Sequence, residues 1–259
     1  MKPNKLRRMI LALSLVICYS ARVYAVDNEL SANQTGTGSN ILFSSQEGGT
    51  GNEAIIFGLA NGGNNVANIT QHHDANSLII NQQALGNFAS GNLLTIEQSI
   101  DNKIVLNQMA SNVGGINTAS IIQDFNSPNV GDNLVKLDQT AALFNIVTIT
   151  QYGGNNILAG VLQDGTIDVS SNAVQTSLTS NNQLILMQTG GYNEVGLYQV
   201  GEGANLATIN QSGGGNSLGV YQTNSGGTNV LTASQTGNAN RAIVQQISHI
   251  GTNTVIVNQ

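Results

Sequence analysis

Tryptophan is absent from this chain, proline occurs twice, and the single cysteine, Cys18, lies within the first 25 residues. No disulfide can therefore hold the remainder together. Aromatic residues make up 4% of the sequence against 30 glycines, a balance that cannot fill a thick core of ordinary packed layers. Cations are equally scarce. Five of the eight (Lys2, Lys5, Arg7, Arg8 and Arg22) fall in the first 25 residues, whereas all fourteen acids come after them. From Val26 onward, Lys103, Lys136 and Arg241 stand against fourteen acids, a net charge of −11. Nucleic acid is held by clustered Lys and Arg, so it is not expected as a partner.

No apolar run is long enough to span a bilayer, and no membrane span is expected. The one extended run, from Met9 to about Tyr19, follows a basic start and precedes Val23-Tyr24-Ala25, a small-residue cleavage site. Residues 1–25 thus have the form of a secretory signal, with the mature chain starting at Val26. Ile17 before Cys18 is not the small residue that a lipoprotein signal needs.

What the chain does have is one pattern many times over. Sixteen times an Asn is followed six places later by a Gln, with apolar residues almost always two and four places after the Asn. The pairs are Asn28 and Gln34, Asn40 and Gln46, Asn65 and Gln71, Asn76 and Gln82, Asn92 and Gln98, Asn102 and Gln108, Asn117 and Gln123, and Asn133 and Gln139. They continue with Asn145 and Gln151, Asn182 and Gln188, Asn193 and Gln199, Asn205 and Gln211, Asn216 and Gln222, Asn229 and Gln235, Asn240 and Gln246, and Asn253 and Gln259. A period of two means strand, and it places the Asn, both apolar residues and the Gln on one face. That face is predicted to point inward, because Glu29, Glu97, Lys103, Lys136, Asp138, Glu194 and Arg241 all fall on the other. A disordered Asn/Gln-rich chain would not keep apolar residues in phase with the amides for over two hundred positions.

Between strands lie arcs rich in Gly, Asn and Ser. Eight begin Gln-x-Gly, at Gly36, Gly48, Gly153, Gly165, Gly190, Gly201, Gly213 and Gly237. A Gly recurring at one offset marks a recurring tight turn. Two strands and two turns make a unit of about 22–24 residues, the period of a stacked repeat. The expected fold is all-β: a single-chain β-solenoid of about nine two-stranded coils, one domain over residues 26–259, with inward Asn and Gln ladders. Each amide offers donor and acceptor, and so can bond the identical group one coil above and below. Three further strands look degenerate. One starts at Asn52 and ends in Gly58, one runs from Asn172 to Leu178, and one runs from Asn156 to Gln163 with an extra residue. The longer arcs at residues 83–91, 109–116 and 124–132 are expected to protrude as loops.

Asn-x-Ala-x-x-x-Gln strands joined by Gln-x-Gly-x-x-Asn turns resemble the curlin repeat of the bacterial curli subunits, a functional amyloid. Asn65-Val-Ala67 to Gln71, Asn205-Leu-Ala207 to Gln211 and Asn240-Arg-Ala242 to Gln246 match it position for position. The chain departs from the family in having more repeats than its members usually carry, and in starting strands with Asn where they often use Ser. The resemblance implies export through the periplasm and a dedicated outer-membrane channel, and assembly with copies of itself and a sister subunit into cell-surface fibres. Those fibres, or fimbriae, would support adhesion to extracellular matrix or host surfaces and biofilm formation. Of the family's two roles, fibre builder and nucleator, the short start Val26-Asp-Asn28-Glu-Leu30-Ser31 resembles the nucleator's.

No catalytic, cofactor or metal site is expected. His72-His73-Asp74 follows Gln71 in a turn and has no further ligand at suitable spacing. Lyase-type chemistry on a solenoid needs acids clustered with Arg or Lys, and the three cations are far apart and outward. Asp74, Asp124, Asp132, Asp164 and Glu202 read instead as gatekeepers whose repulsion slows premature assembly. Two structural alternatives stay open: a secreted solenoid adhesin that does not polymerise, and an ice-binding solenoid. The second would show paired outward Thr on successive coils, whereas Thr148 and Thr150 pair once.

Overall fold

Alternating inward apolar and outward polar residues make strands, and the computed structural model places most of them as predicted. It describes residues 16–20, 29–47, 51–61, 63–85, 91–99, 101–110, 115–124, 132–141, 144–161, 167–168, 173–177, 182–201, 204–224, 226–248 and 252–259. The first strands are β1 (Val16–Ser20), β2 (Glu29–Gly36), β3 (Ser39–Glu47), β4 (Glu53–Asn61), β5 (Asn64–His72), β6 (Ser77–Leu85) and β7 (Gly91–Gln98). Next come β8 (Lys103–Ala110), β9 (Ile116–Asp124), β10 (Leu134–Ala141), β11 (Phe144–Tyr152), β12 (Ile157–Val161), β13 (Ile167–Asp168) and β14 (Ala173–Ser177). The last are β15 (Asn182–Thr189), β16 (Glu194–Gln199), β17 (Asn205–Gly214), β18 (Ser217–Asn224), β19 (Asn229–Asn238), β20 (Arg241–Ser248) and β21 (Asn253–Asn258). Among the described residues there is no helix, and so none long and apolar enough to cross a membrane.

Two facing sheets result. Sheet A stacks β1, β3, β5, β7, β9, β11, β15, β17, β19 and β21 in that order, and sheet B stacks the even-numbered strands with β13. Apart from β12 to β14, consecutive strands therefore alternate between sheets, as the coils of a β-solenoid do. Pairing within the stack is parallel and in register, as where Asn205 to Gly214 face Asn229 to Asn238 residue for residue. The exception is the short antiparallel contact of β12 with β13.

The core is a slab two aliphatic residues deep per strand. Leu94 and Ile96 of β7, Leu78 and Ile80 of β6, and their equivalents in other turns are fully buried. On sheet A the first of these columns mixes sizes, with Leu42, Ala67, Leu94, Ala119, Val147, Leu184, Ala207 and Leu231 on successive strands.

The coil count differs slightly from the expected nine equal coils. Seven turns have a neighbour on both sides: β4–β5, β6–β7, β8–β9, β10–β11, β12/β14–β15, β16–β17 and β18–β19. Turns β2–β3 and β20–β21 lie at the two ends. The degenerate segments at Asn156 and Asn172 are not two strands of successive half-coils, as their local patterns suggested. They are two halves of one rung. Ile157 and Leu158 of β12 pair with Leu134 and Val135, whereas Ala173 and Gln175 of β14 pair with Leu137 and Gln139. In register, Gln175 takes the Gln position beside both Gln139 and Gln199. Gln163, Asn172 and Leu178, together with most of the three longer arcs, lie outside the described residues.

Candidate functional site

The chemically distinctive groups of this protein are its buried amides. Of the expected ladder residues, every Asn and Gln from Asn65 to Gln235 is at most 2% exposed, as is Gln246. Asn240, Asn253 and Gln259 are partly or largely exposed, because they belong to the last turn, which no rung covers.

The Gln ladder of sheet A is continuous and runs one way. Gln46 Nε2 donates to Gln71 Oε1 at 2.9 Å, and Gln71 to Gln98 and Gln98 to Gln123 at 3.1 Å each. Gln123 donates to Gln151, Gln151 to Gln188, Gln188 to Gln211, Gln211 to Gln235 and Gln235 to Gln259, all between 2.7 and 2.9 Å. Backbone carbonyls of sheet B fix the direction. The second N–H of Gln211 donates to Glu194 O at 3.1 Å, and that of Gln235 to Ser217 O at 3.2 Å. Satisfying both N–H groups is what permits burial, since an unpaired buried amide costs about 1–3 kcal/mol.

The Asn residues that open sheet-B strands do a second job, closing the preceding turn. Asn193 Nδ2 donates to Asn156 Oδ1 at 3.0 Å, back to Thr189 O at 3.2 Å, and to Gly213 O of the next turn at 3.2 Å. Asn156 and Asn216 repeat this arrangement. Asn156 Oδ1 and Asn193 Oδ1 also accept the backbone N–H of the next Asn in the column, from Asn193 N and Asn216 N at 3.3 Å. The residue just before each such Asn is left-handed: Gly51, Ala75, Asp101, Asp132, Asn155, Tyr192, Gly215 and Ala239 have φ between 53° and 75°. This turn-closing role was not read from the sequence, although the fixed Gln-x-Gly-x-x-Asn spacing carries its signal.

The other two ladders change direction at the split rung. On sheet A, Asn65, Asn92, Asn117 and Asn145 each donate to the preceding Asn, at 2.8–2.9 Å, whereas Asn205 donates to the following Asn229 at 2.7 Å. On sheet B, Gln82 donates to Gln108 and Gln108 to Gln139, but Gln246 donates back to Gln222 and Gln222 back to Gln199. Asn145 Oδ1, Asn205 Oδ1 and Gln199 Nε2 are left buried without a partner beside that rung. Gly58 interrupts the sheet-B ladder near its start, between Gln34 and Gln82.

Asp74 and Asp132 are exposed in turns. Asp124 ends β9, its side chain outside the description, and Asp164 and Glu202 lie outside the described residues. His72 Nδ1 stands 3.9 Å from Glu47 Oε2 on the outer face of sheet A. Among the described residues no three His, Cys, Asp or Glu side chains gather as a metal site would require. Compared with protein-family models, with curated proteins and with solved structures, the chain gives no match.

Proposed function

We propose that this chain is a secreted structural subunit of extracellular, curli-type amyloid fibres, in which each copy folds onto the edge of another. The fibre then supports surface adhesion and biofilm, and this chain serves as a builder or, by the resemblance of residues 26–31, a nucleator. The observation that supports this reading best is the one-way Gln ladder from Gln46 to Gln259. Along sheet A each rung presents the next with the same Gln amide, in the same direction and register, so the outer edge of a terminal turn is itself a template. Such an edge offers backbone groups as well as amides. Fibre diffraction and dye binding on the assembled chain test the proposal, with a meridional reflection at about 4.7–4.8 Å expected. Complementation of strains lacking the major or the minor curli subunit separates builder from nucleator. A chain that stays monomeric and dye-negative under seeding would reject the fibre role and leave the adhesin.

A further inference from the structure

We infer that copies join end to end with no offset, so that Arg241 of one copy pairs with Glu29 of the next; this rests on the fibre reading above. Both residues are exposed, and both occupy the first outward position of a sheet-B strand at one end of the stack. Extending the register by one rung past β20–β21 brings β2 against β20 and β3 against β21. Glu29 then lies beside Arg241, Gln34 beside Gln246, Asn40 beside Asn253 and Gln46 beside Gln259.

Four observations select this register. Gln259 Nε2 donates to Arg241 O at 3.2 Å, as Gln211 and Gln235 donate to Glu194 O and Ser217 O, and its remaining N–H is available to continue the ladder toward the position Gln46 would take. Gln246 Oε1, on the last sheet-B strand, has no hydrogen-bond partner in its own chain. Val255 and Val257 face the core of β21 but stay only partly buried, as does Leu30 of β2, leaving apolar edges at both ends. Finally, Arg241 alone among the three cations after residue 25 sits on a terminal rung, since Lys103 and Lys136 lie on β8 and β10.

Other offsets fail. A one-residue slip turns every inward side chain outward. A two-residue slip sets Arg241 against Ser31 and takes Gln259 off the ladder. In a population carrying net −11 per copy, a cation placed against an acid at the joint is the local exception to repulsion.

The joint requires that β1 be gone. In the full chain β1 pairs with residues Asn40 to Ser44 of β3, on the edge that a neighbour's β21 would take.

The test uses the chain from Val26, with Glu29→Arg and Arg241→Glu made separately. Each variant alone is expected to elongate wild-type-like seeds of its own sequence about fivefold more slowly, since like charges then meet at every joint. An equimolar mixture is expected to recover to within about twofold of wild type, because alternating copies restore opposite charges at each joint. Wild-type circular dichroism for both variants would confirm folding, and the mixture controls for it in any case. Unchanged elongation by the single variants, or no recovery on mixing, overturns the joint while leaving fibre formation standing. Elongation by the chain retaining residues 1–25 at the rate of the shorter chain overturns the placement of β21 on β3. Absence of fibres from the wild-type chain removes the fibre reading itself.

Discussion

Gln151 Nε2 donates to Gln188 Oε1 at 2.7 Å although 37 residues of chain separate the two. The bond spans the turn whose sheet-B strand is split, so sheet A carries its amide ladder unbroken past the point where sheet B does not. Replacing Gln151 with Leu takes the acceptor from Gln123 and the donor from Gln188. Gln211→Leu does the same to Gln188 and Gln235. Each is expected to lower the unfolding free energy by about 1–3 kcal/mol and to slow seeded growth. Thr150→Ser, on the outward face, should change stability by less than about 0.5 kcal/mol. Chemical denaturation and elongation assays measure both, and equal behaviour of all three variants would show that the Gln side chains do not face inward.

Gly190 and Gly237 share a φ of +99° but not their surroundings. A Cβ on Gly190 would lie 2.1 Å from Gly213 O, whereas one on Gly237 meets nothing within 4 Å. Alanine at either position bears the left-handed penalty of about 1–2 kcal/mol. Only Gly190→Ala must also push the stacked turns apart. Its denaturation midpoint is expected to fall well below that of Gly237→Ala, and matching midpoints would mean that the turns are not stacked this closely.

Charge is expected to govern the lag before fibres appear. At a net −11 the copies repel, and the acids exposed in turns, Asp74 and Asp132 among them, add to this locally. Acidification that protonates carboxylates should shorten the lag, and added salt should act in the same direction by screening. Light scattering across pH and salt series reads this directly. A lag that lengthens with both treatments removes repulsion as the brake.

The two ends are expected to differ as templates. β21 carries no side-chain charge, is rich in β-branched residues, and leaves Ile256 68% exposed. β2 begins with Glu29. Among seeds of the chain from Val26, those lacking residues 253–259 should elongate monomer of that chain far less well than those lacking residues 26–34. Comparable seeding by both would defeat the polarity, and full activity in both would count against templating by terminal turns.

The phase of each strand was legible because it is local: Asn65, Ala67, Ile69 and Gln71 alternate with outward residues, and only one face can be buried. The ladders followed from that phase. The split rung did not. Asn156 and Asn172 both open strand-like stretches, and only pairing with Gln139 and Gln199, distant in sequence, decides that Gln175 fills the slot. Ala75, Asp101, Tyr192 and Ala239 share a left-handed backbone although their side chains have little in common. What imposes it is the Asn that follows, whose amide must swing back over the turn. Amide direction was equally hidden, because it is set by carbonyls on the opposite sheet, such as Glu194 O for Gln211.

Backbone and amide hydrogen bonds run along the axis of the stack, so a pull on its ends loads each rung in tension. Between β17 and β19 ten residue pairs share that load. At the split rung β16 is met by three residues of β12 and two of β14, while β11 and β15 on sheet A keep eight pairs. One side of the rod is therefore compliant at that height and the other stiff. Under force it should bend toward sheet A by opening on sheet B, before any rung parts completely.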